Sequence, residues 1–224
     1  MTERKSDWGE YYEHHKDREP RQELMQLLES IRQAGEPFAD KAALEIGAGN
    51  MIETKVLLDA GFGHVTATDV TDGAENAAAT LQMDVNDFAN DVERLNFLKV
   101  THGELGEQLA PESLDLVFAY QSLQFASPEE FARLWPAIRA SLKPGGRLFI
   151  TLIGDRDGWA KKILADGSRA YKKMNFHSRE DIAELLDGLE GVQVREQEED
   201  GTTHDGIAKH WHIFHIQAQK PADA

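Results

Sequence analysis

The chain has no cysteine, which excludes a disulfide framework, a thiolate metal site and a cysteine nucleophile. It is also short of positive charge. Against 40 Asp and Glu stand 24 Lys and Arg, a formal net charge of −16. Nucleic-acid binding gains its affinity from cations that release counterions from phosphates, so this balance argues against DNA or RNA as a partner. No apolar run approaches the roughly 18 residues that would suggest a membrane span. The opening MTERKSDWGEYY lacks the apolar stretch of a secretory leader. These absences predict a cytoplasmic protein with no membrane partner. What is present is globular in kind: 41% hydrophobic residues in a 224-residue chain suffice for one sizeable core.

Along the chain, strand and helix patterns alternate. Pro20 opens a helix in which Leu24, Leu27, Leu28 and Ile31 recur at helical spacing, and Gly35 and Pro37 end it. Residues 42–46 read as a buried strand, followed by a glycine turn at Gly47 and Gly49 and a helix over 52–60. Residues 64–69 make a second strand. The stretch 74–95 is Ala-, Asn- and Asp-rich and mostly helical, with a third strand at 97–101 or, alternatively, at 80–85, where Asp84 would supply its acid. Residues 114–119 are apolar enough for a strand buried on both faces. Ser127 caps a helix over 128–142, Lys143-Pro144-Gly145-Gly146 stops it, and 147–153 form a fifth strand. A polar insertion fills 155–177, Ser178 caps a helix over 179–186, and 192–197 and 210–218 make two closing strands joined through Gly201 and Gly206. The pattern predicts an α/β fold: a doubly wound, mostly parallel seven-stranded sheet with an antiparallel C-terminal strand pair. Residues 1–40 form an N-terminal helical or lid segment, and 41–224 a single globular unit.

Ligands of such sheets bind at the carboxyl ends of the strands, where strand order reverses. The run Leu44-Glu45-Ile46-Gly47-Ala48-Gly49-Asn50 ends the first strand there. Its glycines permit a tight turn and close approach of a ligand, and the next helix offers unpaired N–H groups. Asp69 ends the second strand, where a carboxylate accepts both hydroxyls of a ribose. A pyrophosphate fingerprint needs a third glycine five residues after Gly47, and Ile52 stands there instead. The turn suits a nucleoside better than a dinucleotide, which argues against a nucleotide-dependent oxidoreductase.

In this order of motifs the chain resembles the class I S-adenosylmethionine-dependent methyltransferases. LEIGAGN is similar to their first motif, Ala67-Thr68-Asp69 to the second and Gly103-Glu104-Leu105 to the third. PESLDLVFAYQSLQF resembles their fourth strand and active-site loop, and LWPAIRASLKPGGRLFITLI a unit of their small-molecule branch. WGEYYEHH and the C-terminal EEDGTTHDGIAKHWHIFHIQAQK resemble, more loosely, the tellurite-resistance-type methyltransferases, although Asp205 stands where a basic residue is expected. Asn50 departs from the family's usual glycine. The resemblance implies S-adenosylmethionine as donor, S-adenosylhomocysteine as product and a small-molecule acceptor. By it, Gly47, Ala48, Gly49 and Asn50 flank the methionine part, Asp69 holds the ribose, Val70 packs on the adenine with Glu104 and Leu105 near its edge, and Tyr120 faces the amino-acid end. The implied fold is Rossmann-like. A non-catalytic module that binds the same cofactor and acts through a protein partner is the other reading.

For catalysis the candidates are Tyr12, His15, Gln121 and His210, as positioning groups or a base. Tyr11, Tyr12, His14 and His15 serve either as cover for the core or as a lid over the cofactor. Ser122 lacks the elbow of a nucleophilic serine. His204, His210, His212 and His215 crowd the last strand; His210 and His212 share one face, while His215 points the other way. No carboxylate sits at metal-ligand spacing in that strand, so no metal is expected. Lys161, Lys162, Arg169, Lys172 and Lys173 form the one basic stretch, a solvated face or an attractor of anions.

Overall fold

The structure, a computed structural model, describes residues 8–86, 94–162, 167, 171–203 and 205–222. Its elements in chain order are α1 (Trp8–His14), α2 (Gln22–Gln33), β1 (Ala42–Ile46), α3 (Ile52–Ala60), β2 (His64–Asp69), α4 (Asp72–Asn86), β3 (Leu95–Lys99), α5 (His102–Gln108), β4 (Leu114–Ala119), a 3₁₀ turn (Leu123–Phe125), α6 (Pro128–Ser141), β5 (Leu142–Ile153), α7 (Gly158–Lys161), α8 (Arg179–Leu185), β6 (Glu190–Thr202) and β7 (Ala208–Gln219). The strands form one sheet in the order β3-β2-β1-β4-β5-β7-β6. The first five pair in parallel, and β7 runs antiparallel between β5 and β6. Sequence order reverses between β1 and β4, so a crevice opens at their carboxyl ends.

The longer helices each bury one stripe. In α2, Leu24, Leu27, Leu28 and Ile31 are all at most 3% exposed, and burying each contributes about 1.5–3 kcal/mol. They pack with α3, α4 and the side chains of Phe118 and Phe149 on one face of the sheet. On the other face Phe131, Leu134, Trp135 and Ile138 of α6 pack with Leu105 and Ile182. Ser127 and Ser178 each accept the backbone N–H three residues on, and Glu130 and Asp181 return the bond, so α6 and α8 start in capping boxes.

Where the structure departs from the sequence pattern, the reasons are local. The third strand lies at Leu95–Lys99, and the alternative at 80–85 falls inside α4. Helix α5 has no periodic signal because it is short and contains Gly103 and Gly106; its Thr101–Glu104 capping box starts it. β5 begins at Leu142, so the Lys-Pro-Gly-Gly stretch is part of the strand, with a register shift between Leu114 and Leu116 on the partner. The last hairpin is longer than its apolar residues indicate. β6 is an edge strand with almost every residue exposed, so no alternation marks its ends.

Candidate functional site

At the switch point, Gly47 and Gly49 have φ of +78° and +51°, conformations that favour glycine. The N–H groups of Gly47 and Ala48 both donate to the carbonyl of Thr68 (2.8 and 3.0 Å), which binds the turn to β2. A Cβ on Gly47 would fall 2.3 Å from Ser122 Oγ. Ser122 in turn lies 3.1 Å from His102 Nε2, and burial holds that imidazole below its ordinary pKa. Beyond the turn, α3 begins at Ile52, after an N-cap Met51 that lies in the left-handed region and offers no side-chain cap, so the helix start is left to other partners.

Asp69 is 8% exposed and stands at the end of β2. Its Oδ2 accepts the Gly49 N–H (3.0 Å) and its Oδ1 accepts the N–H and hydroxyl of Thr71 (3.0 and 2.9 Å). A hydroxyl from the N-terminal segment completes the set: Tyr12 donates to the same carboxylate at 3.2 Å. The Tyr12 ring lies 3.0 Å from where a Cβ on Gly49 would stand and 3.3 Å from that of Gly73. Burial, with the Asp69 charge next, holds this phenol well above its ordinary range, so it stays a donor. Asn50 explains itself here, because its Nδ2 donates to the Tyr12 carbonyl (2.8 Å) and fastens α1 over the glycine turn. Trp8 stacks near Tyr12 and meets Phe125 edge-on at 5.1 Å.

A second anchor holds this cover. Glu53 is 2% exposed; the Arg18 guanidinium forks onto both its oxygens (2.6 and 2.5 Å), and the Arg21 N–H adds 2.9 Å. A bidentate guanidinium–carboxylate pair combines charge with fixed geometry. Glu45 of β1 is buried behind it and accepts the Thr54 hydroxyl. Burial, and then the Glu53 charge, push the Glu45 carboxyl well above the usual range.

Past β4, Tyr120 carries the Arg21 guanidinium on its ring at 4.3 Å. Gln121 has φ of +49°, a strained state for a non-glycine residue, held by its N–H on Thr151 Oγ1 (2.6 Å). Gln121, Gln124, Thr151, Trp211 and Ile213 line a small cavity beside it. The far wall is braced by a buried ion pair. Lys209 Nζ lies 2.7 Å from Asp157 Oδ2, with side-chain exposures of 2% and 0%, and sits between the rings of Trp211 (3.3 Å) and Trp159 (4.0 Å).

Ala48 keeps its place in the turn, with its methyl buried in the α2-side core. The remaining expectations fall elsewhere. Glu104 is exposed and turned back on Thr101, whose N–H and hydroxyl it accepts (2.9 and 2.8 Å); its place in the motif is a helix cap. Leu105 is 1% exposed in the α6-side core, and Val70 is 49% exposed. His15 stacks on Tyr11 at 4.3 Å and bonds the Tyr11 carbonyl, within its own segment. His210 bonds Asp200 and Glu198 (2.8 and 3.0 Å). It shares the α8 side of β7 with His212 and Phe214, away from Arg21 and Tyr120, so the structure does not bring it to the other catalytic candidates. Carboxylates absent from β7 itself arrive from β6: Glu196, Glu198 and His212 present ligand atoms within 4.8 Å of one another. The Arg156 guanidinium bonds both glutamates. His204 and Arg169 lie outside the described residues. Arg18, Arg21, Asp157, Lys209 and Glu53 carried no sequence signal, since each acquires its partner only through the fold.

Residues 44–150 match the family model described as a methyltransferase domain. Wheat (Triticum aestivum) phosphoethanolamine N-methyltransferase 1 is 32% identical over 136 residues, 60% of this chain. The chain spans 24% of that relative's length. TehB from Haemophilus influenzae superposes with a TM-score of 0.66 at 13% identity, over 90% of this chain and 62% of its own. The 1,6-didemethyltoxoflavin-N1-methyltransferase of Burkholderia thailandensis, solved with bound 1,6-didemethyltoxoflavin and S-adenosylhomocysteine, gives 0.59 at 20% identity, over 96% and 86%. The chain shares the Rossmann-like fold of these two solved structures. Among the described residues no helix is long and apolar enough to cross a membrane.

Proposed function

We propose that the chain transfers a methyl group from S-adenosylmethionine to a small-molecule acceptor and releases S-adenosylhomocysteine. One observation carries this reading: the Asp69 carboxylate, fixed by Gly49 and Thr71, already accepts a hydroxyl over a glycine cradle. The Tyr12 phenol holds the place in which a ribose hydroxyl is to bind, and its ring fills the space above Gly49 and Gly73. The residues therefore fit the cofactor. Asp69 would hold the ribose, Gly47 to Asn50 the methionine part, and Tyr120 its amino-acid end. When bound, the sulfonium supplies an electrophilic methyl with its own leaving group.

The rest falls to the chain's own side chains. They exclude water, align the acceptor in line with the methyl, and take a proton where the acceptor carries one. Residues 1–40 act as a lid on the unit formed by 41–224, with Tyr12 and Asn50 as its latch and the Arg18–Glu53 fork as its hinge anchor. Gln121, Gln124 and Thr151 line a water-sized cavity beside Tyr120, the place from which an acceptor pocket would open as the lid lifts. The formal charge of −16 favours small molecules over nucleic acid.

The test is calorimetric titration of S-adenosylhomocysteine into wild type and Asp69→Ala, with NAD as control. Wild type binds at about −8 kcal/mol, a micromolar affinity. Asp69→Ala is weaker by more than about tenfold, because a buried charged acceptor is lost. Equal affinities in the two proteins would place the cofactor elsewhere. Binding without turnover on any acceptor would favour the non-catalytic module.

A further inference from the structure

Among the described residues, two buried side-chain polar atoms have no hydrogen-bond partner: Arg21 Nε and His215 Nδ1. Orphaned buried groups are rare in native proteins and point to a partner that arrives from outside. The two belong to one cluster, which makes the coincidence informative. The Arg21 guanidinium lies over the Tyr120 ring, and the His215 ring meets the same tyrosine edge-on at 5.9 Å. His215 pairs in register with Thr151, which lines the neighbouring cavity.

The tautomer of His215 follows from its surroundings. Gln197 Nε2 donates to Glu199 (2.7 Å), and Gln197 Oε1 accepts from Arg195 (3.1 Å). It is therefore the amide oxygen that lies 2.9 Å from His215 Nε2, so Nε2 carries the hydrogen and Nδ1 a bare lone pair. Glu23 Oε1, tied to Arg195 at 3.0 Å, stands 3.5 Å from that lone pair. Two acceptors face each other, a contact that a donor between or beside them would relieve. The other groups around the ring are Tyr120 just past β4, Phe149 and Thr151 of β5, and Arg195 and Gln197 of β6. Burial, and next the Arg195 charge, lower the imidazole to about 4, against the pull of Glu23, so it is neutral near pH 7.

We propose that Arg21, Tyr120 and His215 form the acceptor subsite, for a small molecule with a carboxylate-type oxygen beside an O–H or N–H group. The oxygen takes the Arg21 Nε–H, and the O–H or N–H donates to His215 Nδ1. This deepens the methyl-transfer reading and rests on it. As the acceptor's oxygen or nitrogen bonds to the methyl carbon, the carbon–sulfur bond breaks and its electron pair stays on sulfur. The proton passes to Nδ1, where the new imidazolium faces the Glu23 carboxylate. The atoms are closed off from water in the present arrangement, and the Arg21 arm swings off Tyr120 to admit the ligand.

The experiment uses ¹⁵N-labelled full-length protein saturated with S-adenosylhomocysteine. The probes are 2-hydroxybenzoate and 2-aminobenzoate, with benzoate, which lacks the donor, as control. At pH 7 the His215 resonance, assigned by its loss in His215→Phe, shows Nε2 protonated and Nδ1 bare. The two donor probes shift Nδ1 and benzoate does not. Arg21→Met and His215→Phe each weaken probe binding by about tenfold or more, with affinity for S-adenosylhomocysteine unchanged. If His215→Phe does not fold, Gln197→Met keeps the imidazole, frees the tautomer and weakens probe binding in the same way. Doubly protonated His215 at pH 7, no binding of either donor probe, or binding indifferent to the substitutions would overturn the proposal. The Arg21 ligand has a second source, the cofactor's own carboxylate. Loss of S-adenosylhomocysteine but not 5′-methylthioadenosine affinity in Arg21→Met would assign Arg21 there and overturn the two-point acceptor site. Failure of wild type to bind S-adenosylhomocysteine would instead sink the methyl-transfer reading itself.

Discussion

Tyr12 and a ribose compete for one carboxylate, so removing the Tyr12 hydroxyl is expected to tighten cofactor binding. The hydroxyl donates to Asp69 at 3.2 Å to one oxygen and 3.4 Å to the other. A hydrogen bond to a charged group contributes about 1.5–3 kcal/mol net, and these long distances favour the lower end. Apparent affinity equals intrinsic affinity multiplied by the fraction of molecules whose latch is open. Loss of about 1.5 kcal/mol of latch energy therefore raises apparent affinity for S-adenosylhomocysteine about tenfold in Tyr12→Phe. The phenylalanine keeps the ring over Gly49 and Gly73, so the change isolates the hydroxyl. Calorimetry gives the affinity. Trp8, packed on Tyr12 and Phe125, gives an independent fluorescence reading of lid movement on titration. If Tyr12→Phe bound the ligand no more tightly than wild type, with an unchanged melting temperature, the latch would not oppose binding. Weaker binding would mean that the hydroxyl belongs to the bound state.

Other expectations concern stability and pH. Lys209→Met leaves the Asp157 carboxylate, which is 0% exposed, without its countercharge and held only by the Trp159 and His212 N–H groups. Breaking a buried pair in this way costs about 3–5 kcal/mol, a fall in melting temperature of about 6–20 °C for a chain of this size; a shift under 2 °C, against that scale, would show the pair to be incidental. In acid, His177 and His215 behave alike, since burial holds both at about 4. Their unfolded pKa is about 6.5, so below that the unfolded chain binds protons that the folded chain refuses. Stability is lost as pH falls from 6.5 towards 4, by about 2 kcal/mol per histidine between pH 7 and pH 5. Denaturant unfolding at both pH values tests this by difference. His177→Gln should lose about 2 kcal/mol less than wild type over that interval, and an identical loss would refute the assignment.

The local signals in the sequence were strong where one element could be read without its neighbours. The strands at 42–46, 64–69 and 114–119 and the helix at 52–60 coincide with β1, β2, β4 and α3, because each is bounded by glycine or by a change of hydrophobic period. The crevice was equally legible, since glycines at the end of one strand and an acid at the end of the next need no knowledge of packing. Short helices and edge strands were not. Glu104 reads as a motif residue in the sequence, yet the physics of a helix start turns it back onto Thr101, and β6 hides its ends because an edge strand need not bury either face.

What the sequence by itself determined is the alternation of buried strands and amphipathic helices, hence the doubly wound sheet, together with the place of the glycine turn and Asp69. The tertiary structure alone decided which distant side chains meet there. Tyr12 reaches Asp69 across 57 positions, Arg18 reaches Glu53 across 35, and Lys209 reaches Asp157 across 52. Such pairings leave no periodicity to read, because they arise only when separate elements pack and a buried polar group must find its partner within the fold.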